Sequence, residues 1–273
     1  MSDQAGYRLA TLIAELADVG LMSGRDVLVH CSMRALGLGD NGPETVYRAV
    51  RSVIGDAVSV VVPTHTAINS STSSAYRAEI AGLDDVGLAE YEARREGFDP
   101  AVTPSYGMGQ LAEFVRRNPA ARRSSHPQTS FSAVGPDANA IVGRHDLNCH
   151  LGEDSPLGAL YRLDATILLL GVGYDTCTAF HLAEYRLPWP PEDQEYRCYV
   201  SRDGHREELT FTAARLDPTD FSELGANLEE DTAIVAKGPF GAGTARAMPM
   251  RGAVDFAVGW MSSHRHPSRT AVS

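Results

Sequence analysis

ILLLGVGYDTCTAFHLAEYR, residues 167–186, decides how the chain is read. Ile167 to Leu170 is an unbroken apolar run of strand length, as expected of a strand buried on both faces. Gly171 and Gly173 break the run, and Asp175 to Tyr185 has the composition of a helix starting just behind it. Strand ends followed by helices are where α/β proteins keep their sites. On that expected helix His181 and Glu184 stand three apart and share a face, and Cys177 falls in the same stripe, four before the histidine. A helix that only packs would fill such a stripe with Leu or Val.

Outward from this unit the pattern alternates. Leu9, Leu12, Ile13, Leu16 and Val19 predict a helix over Tyr7 to Val19, stopped by Gly20. A short strand, DVLVHCS from Asp26, ends in polar residues, and the helix GPETVYRAVRSVIG with Pro43 near its start leads to the strand AVSVVVPTHT. Further helices are expected near QLAEFVRRN and DSPLGALYRL, and a strand from Thr129. Beyond Pro188 the period changes: YRCYVSRDGHREELTFT reads as an antiparallel hairpin about Asp203-Gly204, AIVAKGPFGAGTARAMPM as a second, and a helix follows over about Gly252 to Ser262. The class is therefore α/β, in a single domain over 1–273. The polar and charged stretch 66–104, without a strong period, is expected to be an insertion or mobile cover, and 264–273 a disordered tail.

Composition narrows the function. With 273 residues, 43% of them hydrophobic, the chain can bury a large core. A net charge of −11 disfavours nucleic acid and suits a cationic small molecule. The four cysteines form no CxxC or dense framework, no signal-peptide pattern opens the chain, and apolar runs are only strand-sized. These features predict a reduced cytoplasmic protein with no membrane span. No HExxH occurs, Cys149, His150 and His145 lack a second pair at zinc spacing, and His181-xx-Glu184 occurs once, so no metal site is expected. GVG at 171–173 lacks the third glycine of a dinucleotide fingerprint.

Several segments together resemble the aminoglycoside 3-N-acetyltransferases, the antibiotic N-acetyltransferase family. They are VHCSMRALG (29–37), GPETVYRAV (42–50), FDPAVTPSYGMGQLAEFVRR (98–117), RSSHPQTSFSAVG (123–135), DSPLGALYRLDATILLLGVGYDTCTAFHLAEYR (154–186) and DPTDF (217–221). The likeness runs in order over roughly residues 7 to 265. It departs at Cys31, where the family usually carries a second serine, and in the Ser/Thr-rich stretch 66–77. The resemblance implies a mixed sheet flanked by helices, with antiparallel hairpins in the C-terminal third. It further implies transfer of an acetyl group from acetyl-CoA to the 3-amino group of a 2-deoxystreptamine antibiotic, a polycation. A homodimer is a further expectation. Its HLAE motif would make His181 the catalytic base. The turn His30, Ser32, Met33, Arg34, Ala35, Gly37, with Ser105 and the residues His126, Thr129, Ser130 and Phe131, would hold the cofactor.

The residues can also be weighed alone. Aminoglycoside amines are mostly protonated at neutral pH, so attack on a thioester needs a base, and histidine titrates in the right range. Glu184 at the imidazole's far nitrogen would fix its tautomer. A core histidine is the plain alternative. A strand running into Ser32, Met33 and Arg34 suits a pyrophosphate or pantetheine arm, though most such turns are only loops, and His126 could simply cap a strand entrance. His65, Asn69, Tyr76 and Asp175 are candidates for the acceptor wall. Asp220 matches an acidic position of the family near the acceptor, or is a helix N-cap before Phe221. Three other readings stand beside this one: an acyltransferase acting on another amine of natural-product biosynthesis, a cysteine hydrolase using Cys177 or Cys31 with His181, and a binding protein that has lost activity.

Overall fold

The computed structural model describes residues 2–39, 42–189 and 191–265. Its strands in chain order are β1 (Val27–Cys31), β2 (Val60–Pro63), β3 (Arg122–Arg123), β4 (Phe131–Val134) and β5 (Thr166–Leu170). They are followed by β6 (Asp193–Arg202), β7 (His205–Ala214), β8 (Ala236–Phe240) and β9 (Gly243–Pro249). Seven form one mixed sheet in the order β3-β4-β2-β1-β5-β9-β8. The central β1 runs parallel to β2 and β5, with Leu28 opposite Val61 and Ile167, while the outer pairs are antiparallel.

Strand periodicity divides the core in two. Val27, Val29, Val60, Val62, Leu168 and Leu170 face the helices Ser2–Asp18, Gly42–Ile54 and Gln110–Arg116, where Leu16, Val46, Val50, Leu111 and Val115 meet them. Leu28, Val61, Ile167 and Leu169 point the other way, onto Leu157, Leu160, Phe180, Phe221, Leu224 and Val254. These side chains are nearly or fully removed from water, each a gain of about 1.5–3 kcal/mol. Because β1, β2 and β5 are parallel, their carboxyl ends lie along one edge, and the segments that leave them build the site.

The expected helix Asp175–Tyr185 is instead a 3-10 turn, Tyr174–Thr176, and a separate short helix, Phe180–Glu184. The Thr176 hydroxyl bonds the Gly173 carbonyl at 2.9 Å, and Cys177 leaves helical conformation at ψ 86°. The stripe joining Cys177 to His181 therefore does not exist, and Cys177 is fully buried.

Within 66–104 lie a 3-10 turn, Ala67–Asn69, and helices Ser74–Ile80 and Asp85–Arg94, capped by Ser73 and Asp84. This segment is stitched to the β6–β7 hairpin. The Asn69 amide bonds both the carbonyl and the N–H of Tyr199, at 2.8 and 3.0 Å. Phe98 pairs with the same strand, and Gly97 lies so close that a Cβ would meet the Val200 carbonyl at 2.4 Å. The hairpin turns at Asp203 and Gly204, both left-handed at φ 51° and 77°. The C-terminal helix spans Met250–His264 and is followed by an ordered Arg265, so the expected tail is corrected at its first two residues. Residues 266–273 of that expectation lie outside the described residues. No helix among the described residues is long and apolar enough to cross a membrane.

Candidate active site

Helix Phe180–Glu184 is only five residues long, and its apolar side, Phe180, Leu182 and Ala183, is fully buried. That packing, rather than helix propensity, holds the two polar residues of the opposite side. His181 Nδ1 and Glu184 Oε2 are 2.6 Å apart. The other oxygen of Glu184 accepts from Arg265 at 2.7 Å and from the Asp217 N–H at 2.9 Å. A carboxylate so held is acceptor-only, so Nδ1 is the donor and Nε2 of His181 keeps its lone pair. The imidazole stacks obliquely on Phe221 at 4.8 Å and retains 15% side-chain exposure.

Two cavities share His65, a neighbour of this dyad; Glu184 stands in the wall of the larger, and His181 itself lines neither. The smaller, about 610 Å³, lies at the ends of β1, β2 and β5, between Val29 to Arg34, Val62 to His65, Gly107 to Ala112, and Val172, Thr176 and Thr178. The larger, about 1050 Å³, is bounded by the start of the 66–104 segment, the β6–β7 hairpin and the entry to helix Phe221–Asp231, with Glu184 in its wall. His65 belongs to both. Its shielded Nε2 has no partner among the described residues, and burial together with the neighbouring His181, His145, His30 and His150 holds it neutral, well below the usual imidazole range.

The larger cavity is nearly balanced in charge. Glu184, Glu192, Asp217 and Asp220 face Arg77, Arg215 and Arg265. Arg215 pairs with Glu192 at 3.0 Å, and Arg265 with both Glu184 and Asp220.

Of the residues singled out from sequence, His30, Ser32, Met33 and Arg34 line the smaller cavity. His30 Nε2 is shielded and without a partner among the described residues, and burial lowers its pKa to about 4. Ala35 and Gly37 continue the turn at the surface, where the Ser32 hydroxyl caps the Ala35 N–H at 3.3 Å. Ser105 sits in the adjoining loop, its N–H on Glu113 at 2.8 Å. Thr129 faces the larger cavity. His126, Ser130 and Phe131 are fully buried and line neither cavity. Nδ1 of His126 accepts from the N–H groups of Gln128 and Thr129 at 3.2 and 3.1 Å, and the Ser130 hydroxyl donates to the Thr64 carbonyl at 2.8 Å. Asn69 and Tyr76 are buried in the stitching to the hairpin, Tyr76 on Glu92, and Asp175 is exposed outside both cavities. Asp220 precedes helix Phe221–Asp231 without a side-chain cap and grips Arg265 instead.

Two site residues were not among those expected. Arg265 lay within the expected tail, and a lone arginine after an amphipathic helix carries no signal. His150, which lines the larger cavity, donates from Nε2 to the Ala214 carbonyl at 2.9 Å, and its shielded Nδ1 has no partner among the described residues. Its proximity to Cys149 invited only a metal reading. Among the described residues no group of three or more His, Cys, Asp or Glu could hold a metal ion.

Cavities that share a wall beside an oriented imidazole are the arrangement of an enzyme that brings two substrates together. A family model described as Aminoglycoside 3-N-acetyltransferase matches residues 28–262. The chain is 32% identical over 261 residues to the SPbeta prophage-derived aminoglycoside N(3')-acetyltransferase-like protein YokD of Bacillus subtilis, covering 92% of this chain and 90% of that one. It is 31% identical to aminoglycoside N(3)-acetyltransferase VII of Streptomyces paromomycinus, again over 92% and 90%. Its fold is similar to the crystal structure of YokD, with TM-score 0.85, 29% identity and 95% and 96% coverage. The corresponding values for AAC-VIa bound to sisomicin are 0.81, 28%, 95% and 98%. The chain belongs to the aminoglycoside 3-N-acetyltransferase family and is an acetyltransferase.

Proposed function

We propose that the chain transfers the acetyl group of acetyl-CoA to the 3-amino group of a 2-deoxystreptamine aminoglycoside, with both substrates bound together and His181 as general base. The observation that carries this reading is the 2.6 Å contact between His181 Nδ1 and the buried Glu184, which leaves Nε2 free to take a proton. Acetyl-CoA, the donor of these acetyltransferases, supplies an activated acetyl thioester. The smaller cavity fits its narrow arm. Apolar Val29, Val62 and Leu111 line it together with His30 and Ser32, and Arg34 lies exposed at its edge to meet phosphate.

In the larger cavity the carboxylates of Glu192, Asp217 and Asp220 are acceptors for a substrate ammonium or hydroxyl. The Asp217 carboxylate, which accepts from the nearby Thr219 N–H at 3.0 Å, adds a negative charge. As the amine nitrogen attacks the acetyl carbonyl, its proton passes to His181 Nε2 and Glu184 stabilises the imidazolium that results; the C–S bond then breaks, and the departing CoA thiolate takes up a proton as the imidazole returns to its neutral form. No covalent enzyme intermediate is required. A cysteine nucleophile is less well supported: Cys177 is fully buried, and Cys31, although it lines the smaller cavity, shares with Cys177 a thiol that burial pushes up to about 12.

The direct test offers a panel of aminoglycosides, sisomicin among them, to the protein with acetyl-CoA and maps the acetylated nitrogen of each product. Acetylation confined to the 3-amino group is expected. Turnover only of amines lacking deoxystreptamine would assign the site to another acceptor.

A further inference from the structure

Arg265 ends the described chain one residue past helix Met250–His264, yet all three nitrogens of its guanidinium are engaged at the dyad. Nη1 donates to Glu184 Oε1 at 2.7 Å, Nε to Asp220 Oδ2 at 2.7 Å, and Nη2 to the Asp217 carbonyl at 2.7 Å and to Asp220 Oδ1. Its side chain is 18% exposed, and Glu184's only 4%. The group lies over the Phe221 ring at 6.0 Å, the same ring that meets His181 at 4.8 Å. Bidentate pairing with Asp220 fixes the fork in place, which leaves one arm for Glu184.

We propose that Arg265 is the positioning residue of the active site, keeping Glu184 ionised and so holding the proton of His181 on Nδ1. The proposal rests on the general-base reading of His181. An almost fully buried carboxylate stays charged only with charge or several donors against it. The Asp217 N–H supplies one donor, and Arg265 supplies the charge.

Without that charge the dyad binds an extra proton more tightly. The proton either stays on the imidazole, stabilised by a carboxylate that no cation opposes, or settles on the carboxyl group. In the second case the O–H donates to Nδ1 and the imidazole proton moves to Nε2. Both arrangements hold one proton more than the active dyad, and both lack the free lone pair. The other titratable or charged groups facing the dyad are His65, His150, Tyr185, Tyr196, Asp217 and Asp220. Arg77 and Arg215 lie in the wall of the same cavity, Arg215 paired with Glu192, and burial holds His65 and His150 neutral, so among the described residues Arg265 is the one guanidinium bonded to Glu184.

The experiment is the pH profile of kcat for wild type, Arg265→Gln, Arg265→Lys and His181→Ala, with KM for acetyl-CoA as the control for donor binding. In Arg265→Gln the ascending limb should lie about one pH unit higher, so that the rate falls about tenfold on its acid side and recovers on its alkaline side. Arg265→Lys, which keeps the charge, should keep the limb near its wild-type position. A limb that stays in place in Arg265→Gln, or a uniform fall in kcat at every pH, overturns the proposal. Should Arg265→Gln fail to fold, a folded Arg265→Lys whose limb is displaced by a full unit overturns it. His181→Ala separates the two readings: if the limb persists there, the general-base reading fails, whereas its loss there with an unmoved Arg265→Gln limb rejects the role of Arg265 alone.

Discussion

In the proposed mechanism His181 depends on the residues that orient its ring. Glu184 accepts a hydrogen bond from its Nδ1–H, and Phe221 and the buried helix side fix its ring. His181→Ala should lower kcat by about two to four orders of magnitude with little change in either KM, because a general base acts in the transition state. The residual rate should climb toward the amine's own pKa. A variant with near-normal kcat and the original pH profile would reduce the histidine to packing. Glu184→Gln should cost less, since an amide oxygen still accepts from Nδ1 but cannot stabilise an imidazolium. Cys177→Ala should leave kcat unchanged and lower stability by about 1 kcal/mol, the ordinary cost of a small buried truncation. Loss of turnover in that variant would revive the cysteine hydrolase.

At the scale of elements, legibility followed burial. β1, β2 and β5 are apolar on both faces, and the helix Gly42–Ile54 shows one buried stripe, so their residues announced them. Helix Asp85–Arg94 buries no residue fully and therefore shows no period, and what marks it is the cap at Asp84. The HxxE pair was legible from spacing, whereas the helix expected around it was too long, because a side-chain bond from Thr176 and the turn at Cys177 are decided in three dimensions. Asn69 and Tyr76 looked like site residues because they are polar in a polar stretch. Their partners, Tyr199 and Glu92, are far along the chain or on another helix. That stitching is testable. Asn69→Ala takes the acceptor from the buried Tyr199 N–H, while the Tyr199 carbonyl keeps the Phe98 N–H, so it should cost about 1–3 kcal/mol. Because Ala67, Ser70, Thr72 and Ser73 of the same segment line the larger cavity, KM for the aminoglycoside should rise while KM for acetyl-CoA stays fixed. Equal rises in both would show that the segment serves the whole site rather than the acceptor side.

Across the whole molecule, charge and histidine placement set the response to solution conditions. The chain carries −11, but the larger cavity sets four carboxylates against three guanidiniums, so attraction for a polycation acts mostly at long range. Stability should answer to pH through the buried histidines. His30, His145 and His150 are lowered by burial to about 4, and His65 and His126 lie well below the usual range for the same reason. In the unfolded chain each takes up a proton as pH falls through about 6.5, while the folded protein keeps it neutral. The stability they confer is thus present above about 6.5 and is lost as pH falls toward about 4. Within that window each fully protonated unfolded-state histidine adds a slope of about 1.4 kcal/mol per pH unit. Glu113, held down to about 2 chiefly by Arg116 and Ser105 against its burial, acts lower, below the ordinary glutamate range. A loss between pH 6.5 and 5 therefore belongs to the histidines rather than to the carboxylates. Urea unfolding midpoints at pH 7.5, 6.5, 5.5 and 5 should fall gently between the first two and drop steeply after. His145→Gln removes one titrating group from both states, at the cost of some stability at pH 7.5, and should make the drop shallower. A midpoint that stays level down to pH 5 would mean that these imidazoles protonate in the folded protein as readily as in the unfolded chain.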